Sequence, residues 1–238
     1  MLIEDIPMDL EEKHARIINA RMKLKQRFKN KMASTPSLAD SRPMGKGSVN
    51  RHHMPQVPPD QTVTKKWPVL DLGIQPVVAR DEWALKIDGL VKKEINISWD
   101  SFLTDFEQVN DQSDFHCVTG WSKLNVSWQG VRFADIAVSV EPADNAQFVM
   151  CHGADGYTVN LPLEEALKSD VLIVYEAEGK PLAREHGGPV RMVTPQLWAW
   201  KGAKWINRIE FMENDSLGFW ELRGYSNTAY PWRNDRYS

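Results

Sequence analysis

A single cysteine at the end of a strand-like segment is the first candidate for chemistry in this chain. Residues 114–122 read DFHCVTGWS, so an apolar-edged strand carries the thiol of Cys117 to a turn that contains glycine. Strand-to-loop junctions are places where a rigid scaffold directs side chains at ligands. A lone cysteine is more often a small buried hydrophobic residue. Cys117 is therefore a candidate because of the residues that accompany it downstream.

Three features after Cys117 could act together with a thiolate. They are Tyr157, Arg191 and the KGAK segment at residues 201–204. A thiolate is a soft ligand for a transition metal, a phenol can donate a hydrogen bond or a proton, and arginine, lysine and backbone amides beside a glycine can hold a phosphate. This combination suits a phosphorylated metal cofactor.

Two other kinds of site stay open when the residues are considered alone. A Cys/His hydrolase needs an imidazole that activates the thiol. A structural zinc site needs about four ligands, and the clustered Cys-x-x-Cys spacing typical of such sites is absent from the sequence. Spacing along the chain does not choose between these chemistries.

Composition excludes several classes of protein. The chain has 238 residues, enough for one large domain with an extension, and its 29 basic and 32 acidic residues give a net charge of −3. No global charge argues for nucleic acid.

Cys117 and Cys151 are too few for a disulfide framework and are expected to be free thiols. Residues 1–7 are acidic and lack the apolar run of a secretory signal, and no segment approaches the roughly 20 apolar residues of a membrane span. We expect a cytoplasmic protein.

The N-terminal segment predicts an amphipathic helix over residues 9–32, with apolar residues at helical spacing and a basic outer face. This face could dock an acidic partner or a membrane surface, or the helix could pack on its own domain with the charges solvated. Residues 33–50, rich in Ser, Pro, Gly and Lys, indicate a linker. We therefore divide the chain into residues 1–49, helix and linker, and residues 50–238, the compact domain. The basic residues are Lys13, Arg16, Arg21, Lys23, Lys25, Arg27, Lys29 and Lys31.

Short strands separated by turns and a few short helices predict an α+β fold. A hairpin is expected at residues 83–98, where Asp88-Gly89 marks the turn. An apolar run over residues 133–140 predicts a helix, and shorter helices are expected at 101–106 and 163–168. Further strands are predicted at residues 147–151, 158–162, 171–176, 190–193 and 207–213.

Four motifs, in this order and spacing, resemble sulfite-oxidase-fold molybdopterin oxidoreductases. The resemblance runs from about Asn50 to the C-terminus and implies a single mixed-sheet molybdopterin-binding domain preceded by the N-terminal amphipathic helix. The motifs are FHCVTGWS at 115–122, GYTVNLPL at 156–163, GKPL at 179–182 followed by HGGPVR at 186–191, and WKGAKW at 200–205.

Transferred position by position, the resemblance implies a role for each candidate residue. Cys117 would be the protein thiolate ligand of molybdenum, and Tyr157 would stand on the side of the metal that faces the substrate. The remaining positions would bind molybdopterin: Arg191 and Lys204 its phosphate, with Gly202 and Ala203 as backbone donors, His186 the pterin, and Asn50, Arg51, His52 and His53 the loop that closes over the other side of the pterin.

The residues after the cysteine bear on the substrate. In sulfite oxidases an Asn-Arg-Arg-type run follows, whose arginine helps to bind sulfite, whereas this chain has Gly120, Trp121 and Ser122. Because a desolvated anion needs a paired charge, the change weakens sulfite binding. The Trp-Ser version is closer to bacterial methionine-sulfoxide-reductase catalytic subunits. We therefore expect reduction of a sulfoxide or N-oxide. Sulfite oxidation on the same scaffold is the alternative, and a non-catalytic cofactor-binding or redox-partner module is a further one.

The partners follow from this reaction class. We expect a small-molecule substrate and an external electron donor or acceptor, with molybdenum-molybdopterin as the cofactor and no haem. No nucleic acid or membrane span is expected, and a monomer is the simplest assembly.

Overall fold

The structure is a computed structural model, and it describes residues 8–33 and 44–238. Its helices are α1 Met8–Ala33, α2 Trp99–Thr104, α3 Phe133–Val140 and α4 Leu163–Ala166, and short 3-10 helices occupy Arg184–His186, Ala199–Lys201, Glu221–Arg223 and Pro231–Arg233. The strands are β1 Lys46–Val49, β2 Pro55–Val57, β3 Thr62–Val63, β4 Ala84–Gly89, β5 Ile95–Ser98, β6 Val109–Cys117, β7 Trp121–Arg132, β8 Phe148–Gly153, β9 Thr158–Pro162, β10 Leu172–Ala177, β11 Lys180–Pro181, β12 Arg191–Val193 and β13 Ile206–Met212.

Two mixed sheets carry the domain. One has the order β11-β10-β7-β3, with β12 also paired to β10 and β6 to β7. The other has the order β5-β4-β13-β8-β9. The β3–β7 and β4–β13 pairs are parallel and the remaining pairs within these sheets are antiparallel. The predicted α+β fold with mixed sheets is confirmed.

Strand β10 separates two hydrophobic clusters. Successive side chains of a strand point to opposite faces of its sheet. Ile173 accordingly belongs to the main core, which joins both sheets and α3. Leu172 and Val174 belong to a second cluster with Phe115 and Trp128. The six-stranded sheet is therefore buried on both faces here, which holds the end of β6 firmly in place.

Helix α1 packs on the domain through one face. The Lys25 ammonium donates to the Arg223 carbonyl at 3.2 Å, and the Phe28 ring lies 6.2 Å from the ring of Tyr237. A Cβ at Gly73 would meet Ile17 at 2.9 Å, so the other end of the helix lies against that loop. Helix α1 thus packs on its own domain, and docking of its exposed basic face to an acidic partner or a membrane surface stays a prediction. None of the helices in the described part of the chain is long and apolar enough to cross a membrane.

The segment predicted as a linker ends in a strand. Lys46–Val49 forms β1 and pairs antiparallel with β2, whereas residues 34–43 lie outside the described residues. All four residues of β1 are exposed, so no apolar alternation marks it in the sequence. The predicted helix at 101–106 begins earlier, at Trp99, because the Ser98 hydroxyl caps it by accepting from the Ser101 amide at 3.2 Å.

The β6–β7 hairpin presents Cys117 at its tip. Cys117 pairs with Trp121 across the hairpin, and the Gly120 amide donates to the Cys117 carbonyl at 3.1 Å. Gly120 has φ +100°, a conformation that glycine adopts without strain. The prediction that Cys117 ends a strand and begins a turn is confirmed.

Candidate cofactor and active site

Six of the predicted site residues line one cavity of about 120 Å³. The elements that bring them together are the end of β6, the turn before β9, the Arg184–His186 helix, the start of β12 and the loop after Ala199–Lys201. Residues far apart in sequence thus meet where both sheets end. The six are Cys117, Tyr157, His186, Arg191, Gly202 and Lys204.

The Cys117 thiol is 6% exposed, and its hydrogen-bond partner is the Thr119 hydroxyl at 3.1 Å. Burial raises the pKa of this thiol, and Thr119 together with the charges of Arg21 and Arg236 lowers it by less. A buried thiol of this kind becomes a thiolate when a metal ion or another strong positive charge binds beside it. Cys117 is therefore suited to be a metal ligand rather than a free nucleophile.

The neighbouring histidine does not activate this thiol. His116 precedes Cys117 on β6, so its side chain points to the opposite face of the strand. Its Nδ1 lies 2.8 Å from the Ser122 hydroxyl, and burial lowers the pKa of His116 to about 3. The imidazole stays neutral and is bonded elsewhere, which disfavours the Cys/His hydrolase alternative.

A structural zinc site finds no support either. In residues 8–33 and 44–238 no three His, Cys, Asp or Glu side chains converge to hold a metal ion. A metal bound at Cys117 would thus take its other ligands from outside the described residues. A dithiolene cofactor fits this requirement, because it brings soft sulfur ligands of its own.

Arg191 and Lys204 form a cationic end of the cavity. The Arg191 guanidinium is bonded to the carbonyls of His186 at 3.0 Å and of Gly202 and Met192, both at 3.3 Å. The Lys204 ammonium donates to the Glu185 carbonyl at 2.7 Å. No carboxylate among the described residues forms an ion pair with either cation.

Burial makes this pair of cations receptive to an anion. It lowers the pKa of Arg191 to about 10 and, with the charge of Arg191, lowers the pKa of Lys204 to about 8. Arg191 is 3% exposed. A phosphate dianion would supply the missing counter-charge through charge-assisted hydrogen bonds. The donor set therefore fits the phosphate of a molybdopterin.

An aromatic wall lies beside the cations. The His186 ring stacks on Trp67, with centroids 4.0 Å apart and planes at 8°. The Arg191 guanidinium lies over Trp67 at 5.9 Å and over Phe115 at 5.1 Å. Such flat faces suit a planar heterocycle such as a pterin.

Tyr157 lines the same cavity beside Trp200. Its hydroxyl donates to the Trp200 carbonyl at 2.6 Å. Burial, followed by the nearby charge of Glu221, raises the pKa of Tyr157 well above its usual value. The phenol therefore stays protonated at neutral pH and can serve as a hydrogen-bonding group but not as a base.

The two lysines of the KGAK segment point in different directions. Lys204 faces the cavity, whereas the Lys201 ammonium is fully buried and lies 2.7 Å from the Glu221 carboxylate. Lys201 also donates to the Asn160 carbonyl at 3.0 Å. Lys201 therefore anchors the loop to the core, whereas Lys204 is placed to bind a ligand in the cavity.

Other predicted positions do not line this cavity. Arg51 forms a bidentate pair with Asp111 at 2.7 and 2.8 Å, and His52 lies 2.6 Å from Asp170. Asn50 accepts from the His52 and Met54 amides, and His53 is exposed. Ala203 is fully buried in the core, and Gly202, which does line the cavity, already donates its amide to the Ala199 carbonyl at 3.2 Å. The cofactor roles of these positions stay predictions.

Sequence reasoning missed several residues of the cavity. Trp67 sits in a proline-flanked loop without periodicity, so nothing in the sequence indicates that it faces His186. Asp155 comes just before the Gly156-Tyr157 motif and could have been found with it. Arg21 is one of eight cations on α1, and only the packing of the helix distinguishes it. The missed residues include Arg21, Trp67, Asp71, Trp121, Asp155 and Trp200.

Most of this chain is similar to a known family of domains. Residues 72–220 match the model of the oxidoreductase molybdopterin binding domain. The chain is 41% identical over 184 residues to the uncharacterized oxidoreductase YuiH of Bacillus subtilis, an alignment that covers 77% of this chain and 92% of that protein. The solved structure of the sulfane dehydrogenase SoxCD from Paracoccus pantotrophus shares the fold, with a TM-score of 0.55 and 19% identity over 60% of this chain and 41% of that one.

Two further relatives differ in activity. Mitochondrial sulfite oxidase of Drosophila melanogaster is 33% identical over 111 residues, covering 42% of this chain and 19% of that protein. The protein-methionine-sulfoxide reductase catalytic subunit MsrP of Ralstonia nicotianae is 26% identical over 155 residues, covering 59% of this chain and 46% of that protein. The chain spans less than half the length of these two relatives.

Proposed function

The chain belongs to the oxidoreductase molybdopterin binding domain family, and on this premise we propose that it transfers an oxygen atom between a small substrate and water, with Cys117 as the protein ligand of molybdenum. The chain is an enzyme of the molybdopterin oxidoreductases rather than a non-catalytic module. One observation carries the residue assignment: the Cys117 thiol lines the same cavity as two cations, Arg191 and Lys204, and neither forms an ion pair with a carboxylate of the described residues.

Different residues of the chain bind the phosphate, the pterin and the metal of the cofactor in this proposal. When bound, molybdenum-molybdopterin supplies a metal that can gain or lose two electrons during the oxygen transfer. Arg191 and Lys204 hold the phosphate, and the stacked rings of Trp67 and His186 support the pterin. Cys117 would hold the metal as a soft thiolate, because the positive charge of a bound metal ion would offset the burial that disfavours the ionised thiol.

Tyr157 orients the substrate side in this proposal. Its hydroxyl hydrogen is directed at the Trp200 carbonyl, and its oxygen keeps lone pairs that can accept a hydrogen bond. A small rotation would let the same hydroxyl donate to an oxygen atom of the substrate. Because the pKa of Tyr157 is raised well above its usual value, the proton stays on the phenol at neutral pH. An external electron donor or acceptor completes the turnover.

Two substrate classes are compatible with the cavity. Its aromatic lining, with Trp121 stacked on Phe115 at 5.8 Å, supports a neutral sulfoxide or N-oxide. The Gly120-Trp121-Ser122 run supports the same class. Sulfite oxidation requires a cation, and Arg21 reaches the cavity from α1. Steady-state assays with sulfite and an artificial acceptor, and with a sulfoxide and a viologen donor, separate the two.

Metal and pterin analysis tests the proposal most directly. Wild-type protein and Cys117→Ala would be expressed with cofactor biosynthesis active and analysed for molybdenum, tungsten, zinc and oxidised pterin. We expect near-stoichiometric molybdenum and pterin in the wild type, with a changed molybdenum resonance or lost metal in the variant. Wild-type protein with neither molybdenum nor pterin, or a fully active Cys117→Ala variant that retains its metal, would overturn it.

A further inference from the structure

Helix α1 contributes a side chain to the cavity from outside the matched family domain. The family model covers residues 72–220, whereas Arg21 lies in the middle of Met8–Ala33. Arg21 nevertheless lines the cavity together with Cys117 and Tyr157. The motif residues that follow Cys117 include Gly120, Trp121 and Ser122 but no arginine. Helix α1 instead brings Arg21 to the cavity.

The packing of α1 fixes the direction of Arg21. Residues three and four positions apart share one face of a helix. Ile17 lies against the Gly73 loop, Lys25 bonds to the Arg223 carbonyl, and Phe28 packs near Tyr237. Arg21 stands between these contacts on the same face. It is therefore held over the cavity and not on the solvent side of the helix.

Arg21 has no partner of its own within the described ranges. It is partly buried, yet it forms no hydrogen bond or ion pair there. The two carboxylates that line the cavity are already bonded: Asp71 accepts from the Gly73 amide at 2.8 Å, and Asp155 accepts from the Tyr157 amide at 3.1 Å. The fork of donors on Arg21 is thus free to bind a ligand.

Other nearby cations cannot take this role. Arg236 is almost fully buried, and its guanidinium donates hydrogen bonds to the Val118 and Pro59 carbonyls and to the Asn234 side chain. Arg191 is bonded at the far, phosphate end. Among the described residues that line the cavity, Arg21 is the cation that forms no hydrogen bond or ion pair with another described residue.

We propose that Arg21 is the oxyanion-binding residue of the active site, so that α1 forms part of the substrate pocket and selects small oxyanions over neutral oxides. A guanidinium matches the oxygen atoms of an oxyanion in a bidentate fashion. This inference rests on the proposed function, because it takes the Cys117 cavity as the active site.

Sulfate binding to the purified holoprotein tests the inference without turnover. Titration calorimetry at constant low ionic strength would compare wild type, Arg21→Gln and Arg21→Lys. The matched control is Arg27→Gln on the same helix, where an exposed arginine without hydrogen bonds or ion pairs in the described chain loses the same charge. We expect affinity to fall about tenfold or more in Arg21→Gln, to be partly kept in Arg21→Lys, and to be unchanged in Arg27→Gln.

Kinetics give the second readout. The KM for sulfite should rise by about the same factor in Arg21→Gln, while the KM for dimethyl sulfoxide stays constant. The inference is overturned if wild type binds no sulfate, if Arg21→Gln binds it as well as wild type, if Arg27→Gln weakens binding equally, or if Arg21→Gln loses molybdenum instead of sulfate affinity. Absence of molybdenum and pterin from the wild type would overturn the proposed function and, with it, the active-site role of Arg21. If both are present, unchanged sulfate affinity in Arg21→Gln would overturn the inference alone.

Discussion

The charge of Arg191 acts on Lys204 across the cationic end of the cavity, and together with burial, which is the larger cause, it brings the pKa of Lys204 to about 8. The two side chains are held close by the same loop, since Arg191 is bonded to the Gly202 carbonyl two residues before Lys204. A bound phosphate would offset the repulsion between the two positive charges. The lowered pKa of Lys204 also makes the stability of the cofactor-free protein depend on pH in the alkaline range.

The first prediction follows from the lowered pKa of Lys204. An unfolded lysine keeps its proton up to about pH 10.4, whereas the folded Lys204 loses it near pH 8. The unfolded state binds more protons between these values, so the free energy of unfolding of the cofactor-free protein should rise with pH across this window. Lys204→Met should flatten the rise and stabilise the protein below pH 8 by on the order of 1 kcal/mol.

Urea denaturation of cofactor-free protein between about pH 7 and 10 measures this effect. Lys180→Met is the matched control, because Lys180 is exposed on strand β11 and carries the same side chain. An equal change in the pH dependence in both variants would show that Lys204 has no special role. Loss of bound pterin in Lys204→Met alone would tie the same ammonium to the cofactor.

The second prediction contrasts the two cysteines. Cys151 is fully buried, lies 3.6 Å from the sulfur of Met192 and does not line the cavity, as expected for a core residue. Cys151→Ala should lower the free energy of unfolding by about 1 to 2 kcal/mol through the space it leaves, and should keep activity. Cys117→Ala should abolish turnover and leave the free energy of unfolding nearly unchanged. Parallel measurement of urea midpoints and turnover decides the point, and activity lost equally in both variants would contradict it.

The third prediction concerns Tyr157. Tyr157→Phe removes the donor to the Trp200 carbonyl and should destabilise the fold by about 1 kcal/mol. Because this hydroxyl faces the cavity, we expect kcat to fall by about tenfold or more with cofactor content unchanged. Tyr230→Phe, which removes a 3.0 Å bond to Glu165 elsewhere, should keep kcat. A pH profile whose shape differs between wild type and Tyr157→Phe would contradict the view that this phenol does not titrate near neutrality.

The sequence predicts the parts of this molecule that depend on local patterns. The strand that ends at Cys117 is marked by apolar residues and by Gly120, and the α3 helix by its apolar run. Strand β1 is not marked, because a fully exposed strand has no alternation to detect. Local patterns therefore indicated elements that have a buried face and missed β1, which has none.

The site shows the same division. Cys117, Tyr157 and Arg191 were singled out by residue type and motif, and the fold brings them into one cavity. Arg21 and Trp67 could not be selected in this way, since their positions are decided by how α1 and a loop without regular structure pack on the domain. Residues 50–53 show the complementary limit, because their types suit an anion but do not show that Arg51 and His52 pair with the carboxylates of Asp111 and Asp170. Their role toward the cofactor stays a prediction.

The last prediction concerns the support of the phosphate loop. Lys201 and Glu221 are both fully buried, with Nζ and Oε1 2.7 Å apart, and the Trp200 indole also donates to Glu221 at 2.9 Å. Removing one member of a buried ion pair leaves the other charge uncompensated, so Lys201→Met should lower the free energy of unfolding by about 3 to 5 kcal/mol. Lys201→Met combined with Glu221→Gln should recover much of this loss, because no buried charge then remains. Urea denaturation of both variants measures the difference. If the double variant were no more stable than Lys201→Met, the loss would come from packing of the lysine stem and not from the stranded carboxylate.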